Sequence, residues 1–219
     1  MRFLYGITLG RNTEALTASV PHMKHPIRRA EVYARSELEA ILSAPSQPRD
    51  RAFLMTVYAC GLRISEATDL KTSDIDRPRM QLRVRNGKGA KGRVLPLGKR
   101  LLKELVDYWR AQRQAKAGYD SPWLFLGARA GKPMSLGSAQ LIYNHAVEKS
   151  GVRRKGGIHV LRHSFATHLI ESGVELPAVQ RLMGHASLKT TALYLHVTQC
   201  RLAEMRSPLD LIDTSHLER

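Results

Sequence analysis

Residues 80–98 break the helical period of the text around them: MQLRVR alternates apolar and polar side chains, NGKGAKG follows, and RVLPLG alternates again. Alternation lines every second side chain along one face, and the glycine-rich centre supplies turn chemistry. This piece is therefore predicted to be an antiparallel hairpin with Asn86-Gly87 near its turn. The flanking text reads as helices. Ser36 and Glu39 form a capping box, SELE, ahead of Leu38, Ile41 and Leu42, which predicts a helix start. RAFLMTVYAC, residues 51–60, continues as a largely buried helix that Gly61 interrupts, and residues 64–70 form another short one. An amphipathic helix is expected over residues 99–117, a short apolar run at 123–126, and a helix over 135–149 with Gly151 as its stop. The remainder reads as helices broken at Gly173 and Gly184. With no internal repeat, the fold class is mainly α with a small antiparallel β-sheet, an α+β domain.

The charge of this domain narrows its partners. The chain has 35 Lys and Arg against 19 Asp and Glu, a formal +16 on 219 residues, while 43% of the residues are hydrophobic. That is enough apolar text to bury a core, so the excess charge belongs to a folded surface and a polyanionic partner best accounts for it. No run approaches the ~18 apolar residues of a spanning helix, and the first residues lack the apolar stretch and cleavage site of a signal peptide. Cys60 and Cys200 are isolated, without CxxC spacing, which fits a reducing cytoplasm.

The run from His159 to Tyr194, HVLRHSFATHLIESGVELPAVQRLMGHASLKTTALYLHV, gathers His159, Arg162, His185 and Tyr194 in one helical region. Arg162 offers a planar fork suited to two phosphate oxygens, the histidines can donate or take a proton, and a tyrosine hydroxyl can attack phosphorus. Upstream, Arg63 follows Gly61 among apolar neighbours in GLRISE. Either it pairs with Glu66 as an ordinary helical ion pair, or it grips a phosphate while Glu66 orients it. Lys88 lies in the glycine-rich turn, where it is a solvated hairpin lysine or an ammonium carried into a groove. Taken alone, Tyr194 reads equally as a core tyrosine. His159 and His163 have the four-residue spacing of zinc helices, but no glutamate stands at Val160 and Arg162 would repel a cation, so no metal site is expected.

Taken together, Arg63, Lys88, His159, Arg162, His185 and Tyr194 resemble the catalytic set of the tyrosine recombinase (phage integrase) family, in order and in register. The likeness covers residues 34–197, and LMGHASLKTTALYLHV is similar to the Xer-like and transposon-associated members. The resemblance implies the tyrosine recombinase catalytic-domain fold and a site-specific recombinase that cuts double-stranded DNA through a 3′-phosphotyrosyl intermediate, conserving bond energy. In that scheme Tyr194 is the nucleophile, Arg63, Arg162 and His185 hold the phosphate, Lys88 is the general acid and His159 the base. Two arginines supply the positive charge, so no cofactor or divalent metal is called for. Lys91 and Arg93, on the same hairpin as Lys88, are expected to contact the DNA backbone. The implied partners are recombination sites in duplex DNA and further copies of this chain or a related recombinase on them, in a cytoplasmic, nucleoid-associated setting without membrane.

The family usually places a helical domain of about a hundred residues ahead of the catalytic one. Here residues 1–33 read as a remnant of that core-binding domain plus linker, residues 34–198 as the catalytic domain, and residues 199–219 as a tail that docks on a neighbouring protomer or on its own domain. An N-terminally truncated recombinase is the expectation. A catalytically silent DNA-binding protein and a type IB topoisomerase-like nicking-closing enzyme share the charge and part of the chemistry.

Overall fold

The arginine-rich centre of the molecule is built on seven helices and one sheet, described by a computed structural model over residues 31–85, 92–115, 121–129 and 131–184. In chain order these are α1 (Arg35–Ser43), α2 (Pro48–Ala59), α3 (Ile64–Thr68), a 3₁₀ turn (Thr72–Asp74), β1 (Ile75–Asp76), β2 (Gln81–Val84), β3 (Arg93–Pro96), α4 (Lys99–Ala115), α5 (Leu136–Ser150), α6 (His159–Glu171) and α7 (Leu176–Met183). Among the described residues no helix is long and apolar enough to cross a membrane.

The expected hairpin is present as β2 and β3, paired antiparallel with Leu82 opposite Leu95 and Val84 opposite Arg93. Its buried face carries Leu82, Val84 and Leu95, while Arg83 and Val94 face outward. A third strand, β1, extends the sheet by pairing Ile75 with Leu82 and Asp76 with Gln81. Two residues are too short to show an alternating signal, which is why the sequence does not announce it. The expected turn at Asn86-Gly87 lies outside the described residues.

α4 packs on α2 through Leu101, Leu105 and Tyr108, spaced to share one helical face. Tyr108 stacks on Phe125 at 5.7 Å, and Phe53 of α2 meets the same ring edge-on at 5.2 Å. The apolar run at 123–126 thus serves as filler between two helices; burying each such ring or leucine contributes about 1.5–3 kcal/mol. α5 starts at Ser135, whose hydroxyl accepts the Ser138 N–H at 3.0 Å, and ends at Gly151 with φ 68°, matching the expected stop.

Two boundaries differ from expectation. The α1 cap is not Ser36 with Glu39: Ala34 is the N-cap, and Glu37 reaches back to accept its N–H at 2.7 Å while also binding Lys155. Tertiary pairing with Lys155 selects the earlier carboxylate. Tyr33, expected in the linker, is fully buried. Its N–H donates to Ser164 Oγ at 3.0 Å, its hydroxyl meets that of Tyr143 at 2.7 Å, and the Lys155 N–H donates to it at 3.2 Å. The packed domain therefore includes Tyr33.

A second, smaller cluster joins the far half of α6 to α7 through Ala166, Ile170, Val179 and Met183, with Phe165 and Leu169 alongside. α7 meets the rest of the fold at α6 and β3.

Candidate active site

α2 ends in a Schellman turn: the Leu62 N–H reaches Val57 O at 3.1 Å and the Gly61 N–H reaches Tyr58 O at 3.2 Å. Gly61 carries the left-handed φ of 56° that this turn requires. A Cβ there would also lie 2.2 Å from Phe165 Cδ1, so glycine is needed twice over. The turn exposes the Gly61 carbonyl to α6 and delivers Arg63 as N-cap of α3, with Glu66 at N3 accepting the Arg63 N–H at 2.9 Å.

Glu66 is the hub of the site. Its side chain is 2% exposed. One oxygen accepts from Arg63 Nη1 at 2.7 Å, both accept the fork of Arg93 at 2.8 Å each, and Arg162 Nη1 stands 3.7 Å away. Burial pushes this carboxyl up, but the bonds from Arg93 and from the Arg63 amide and guanidinium prevail and hold it at about 2. Glu66 is ionised throughout the neutral range, and three guanidiniums against one carboxylate leave a net positive centre.

The same three arginines grip the end of α7. Arg93 Nε donates to Leu182 O at 2.8 Å, Arg162 Nη2 to Met183 O, and Arg63 Nη2 to Gly184 O at 3.1 Å. These are the carbonyls that a helix C-terminus leaves without intrahelical partners. Gly184 closes the helix in the left-handed region at φ 61°. Arg162 also donates from Nη1 to Gly61 O, which ties the two glycine turns together through one buried side chain.

His159, the first residue of α6, is exposed and lies one turn before Arg162 on the same face. It meets His163 edge-on at 5.7 Å. Burial, with His159 and Arg162 adding to it, pushes His163 below its usual range. Cys60 packs in the core behind this region, and burial raises its thiol to about 12, too high for a nucleophile at neutral pH.

Of the residues singled out in the sequence, Arg63, Glu66, Arg93 and Arg162 converge in one place, and His159 lies one turn before Arg162 on α6. Lys88, Lys91, His185 and Tyr194 lie outside the described residues; the chain runs to His185 directly from Gly184, whose carbonyl Arg63 holds. Arg93, expected on the DNA backbone, has its guanidinium turned inward onto Glu66 and α7 instead. The alternation of RVLPLG contains that signal, since Arg93 shares a strand face with Leu95. The carbonyls of residues 182–184 carry no side-chain signature and could not be read from sequence.

Residues 31–201 match the phage integrase family. The putative integrase/recombinase y4qK of Sinorhizobium fredii (strain NBRC 101917 / NGR234) is 37% identical over 212 residues, which cover 97% of this chain and 67% of that protein. The tyrosine recombinase XerC of Proteus mirabilis is 39% identical over 183 residues, covering 83% of this chain and 59% of XerC. Among solved structures, the XerH site-specific recombinase bound to palindromic difH substrate in a post-cleavage complex gives a TM-score of 0.69 at 28% identity, over 81% of this chain and 52% of that one. Most of its sequence matches this one family, and relatives 37% and 39% identical cover 97% and 83% of it: the chain belongs to the phage integrase family of tyrosine recombinases.

Proposed function

We propose that this chain cleaves and rejoins DNA strands at specific sites, without metal, through a covalent link to Tyr194. The observation that carries this reading is the convergence of Arg63 and Arg162 on α7 next to the segment leading to His185, with Glu66 holding the geometry. Each arginine is held by protein oxygens before substrate arrives, so the site needs little reorganisation to receive a phosphate.

The chemistry follows from the groups. Tyr194 Oη attacks phosphorus, its proton passing to His159, and the bond from phosphorus to the 5′-oxygen breaks as Lys88 protonates that oxygen. A 3′-phosphotyrosyl link and a free 5′-hydroxyl result, and the reverse attack by a 5′-hydroxyl of another strand completes exchange. A tyrosine with an ordinary pKa near ~10 needs both a base and charge stabilisation on phosphorus. Arg63, Arg162 and His185 supply the latter, at about 3 kcal/mol for each well-placed donor. Lys91 contacts the DNA backbone, and active assemblies on DNA hold further copies of this chain or a related recombinase.

The test is a pool of nicked duplexes with a randomised central segment, incubated with the full chain and partitioned for DNA that stays protein-linked in detergent. The expected result is a covalent adduct that enriches particular sequences and is lost in Tyr194→Phe. Retained DNA affinity with no adduct from any sequence would overturn the enzymatic reading and leave a binding protein. Affinity should fall steeply with salt, since phosphate contacts release counterions.

A further inference from the structure

Arg93 combines features unlike those of a backbone contact. Its side chain is 10% exposed. Both tips of its fork close on the Glu66 carboxylate at 2.8 Å, and its Nε holds Leu182 O at 2.8 Å. Gly184 packs against it so closely that a Cβ there would stand 3.0 Å from Arg93 Nη1. Arg63 meets the same carboxylate through Nη1 alone, at 2.7 Å, and Arg162 stands 3.7 Å from it; each also donates to a neutral carbonyl at α7, a bond a phosphate can supplement or displace. A bidentate guanidinium-carboxylate pair is charge-assisted on both sides and is not given up so readily.

We propose that Arg93 is a positioning residue, which fixes the Glu66 carboxylate and the last turn of α7 so that Arg63, Arg162 and the chain entering His185 hold the arrangement strand cleavage requires. This rests on the strand-cleavage reading above. The physical reason lies in the hub. With Arg93 in place, the carboxylate is satisfied by Arg93 on one side and Arg63 on the other, and Arg162 stays back at 3.7 Å. Without Arg93, a buried carboxylate facing only Arg63 draws Arg162 onto itself, and both proposed phosphate donors turn away from the substrate side. The Leu182 bond goes with it, releasing α7 from β3, the strand that continues the Lys88 hairpin. Arg93 thus couples two parts of the active site that belong to distant segments of the chain. Lysine at this position keeps a charge but not the fork, so it cannot hold Glu66 and Leu182 together.

The experiment uses full-length Arg93→Gln and Arg93→Lys with nicked duplexes selected by the wild-type protein, measuring affinity against salt and, on saturating DNA, the single-turnover rate of adduct formation. Misplaced donors cost about 100-fold in rate, which is the loss expected for Arg93→Gln, with a smaller loss for Arg93→Lys. Affinity should change far less than the rate, since the phosphate contacts made outside the site are untouched. Freed of the fork, Glu66 titrates nearer the ordinary carboxylate range, so the ratio of the Arg93→Gln rate to the wild-type rate should fall further as pH drops into that range. A salt slope reduced by about one, with unchanged rate on saturating DNA, would make Arg93 a phosphate contact and overturn the inference. Wild-type rate and pH profile in both variants would overturn it too. If Arg93→Gln does not fold, Arg93→Lys carries the rate measurement; melting of both below the assay temperature would make the residue purely structural. Absence of any wild-type adduct would instead defeat the strand-cleavage reading.

Discussion

Replacing Glu66 by glutamine tests the centre of the structure directly. The carboxyl is held at about 2 against an ordinary 4.5, a difference worth about 3 kcal/mol of folded-state stability. Removing one partner of a buried ion pair gives a similar figure, about 3–5 kcal/mol, because the remaining charges lose their compensation. Glutamine also presents an NH₂ group where the arginines present donors. The expected loss at pH 7 is therefore about 3 kcal/mol, read in urea as a fall in midpoint of about 1 M for a slope near 3 kcal/mol/M. The pH dependence follows from the sign of the shift. A carboxyl depressed in the folded state contributes fully above its unfolded value and loses that contribution as pH falls through the folded one. The gap between wild type and variant should be flat above about pH 5 and shrink between about 4.5 and 2. A loss below about 1 kcal/mol at pH 7, or a gap that varies between pH 6 and 8, would refute the hub.

Three further outcomes are expected. Gly61→Ala must adopt a left-handed φ and drive a methyl into Phe165, so unfolding in urea should show a loss of about 3 kcal/mol; a neutral effect would mean the turn relaxes freely. His163 is pushed below its usual range by burial, so the unfolded chain binds its proton first as pH drops and stability is lost below about 6.5. Melting temperature should fall from pH 7 to 5, and His163→Asn should flatten part of that slope, His168 being depressed in the same sense. Tyr33→Phe removes the hydroxyl shared by Tyr143 and the Lys155 amide and should cost about 1–2 kcal/mol in a thermal melt; no change would show that those groups find other partners.

What the sequence disclosed depended on the length over which a pattern repeats. α4 was legible because Leu101, Leu105 and Tyr108 recur on one face, and the hairpin because both strands alternate. β1 was not, since its evidence is its pairing with β2 rather than any period of its own. The α1 cap moved from Ser36 and Glu39 to Ala34 and Glu37 because a lysine more than a hundred positions away binds Glu37. In the site, GLRISE made Arg63 and Glu66 partners on sight. The third partner, Arg93, reads as one more basic residue on a basic hairpin, although its place in the alternation puts it on the inner face with Leu95. The grip on residues 182–184 lay beyond sequence reading in principle, because those acceptors are backbone oxygens.

Under the proposed function, the arrangement at α7 answers a difficulty inherent in any site made for phosphate. Three guanidiniums brought together in a partly buried centre repel one another, and without DNA the fold must supply their counter-charge. One carboxylate alone leaves two charges uncompensated. The C-terminus of a helix provides the rest: its carbonyls are short of donors and it carries the negative end of the helix dipole, so cations are stabilised there. Arg93, Arg162 and Arg63 on the carbonyls of residues 182, 183 and 184 use this in succession. The groups that would bind phosphate therefore also cap a helix, and that helix leads directly into the segment bearing His185 and Tyr194. Under the proposed function, the order in which these donors hold the protein and the substrate links phosphate binding to placement of the nucleophile's segment. A site in which only Arg93 keeps a bidentate carboxylate partner leaves the other two arginines able to exchange neutral acceptors for charged ones.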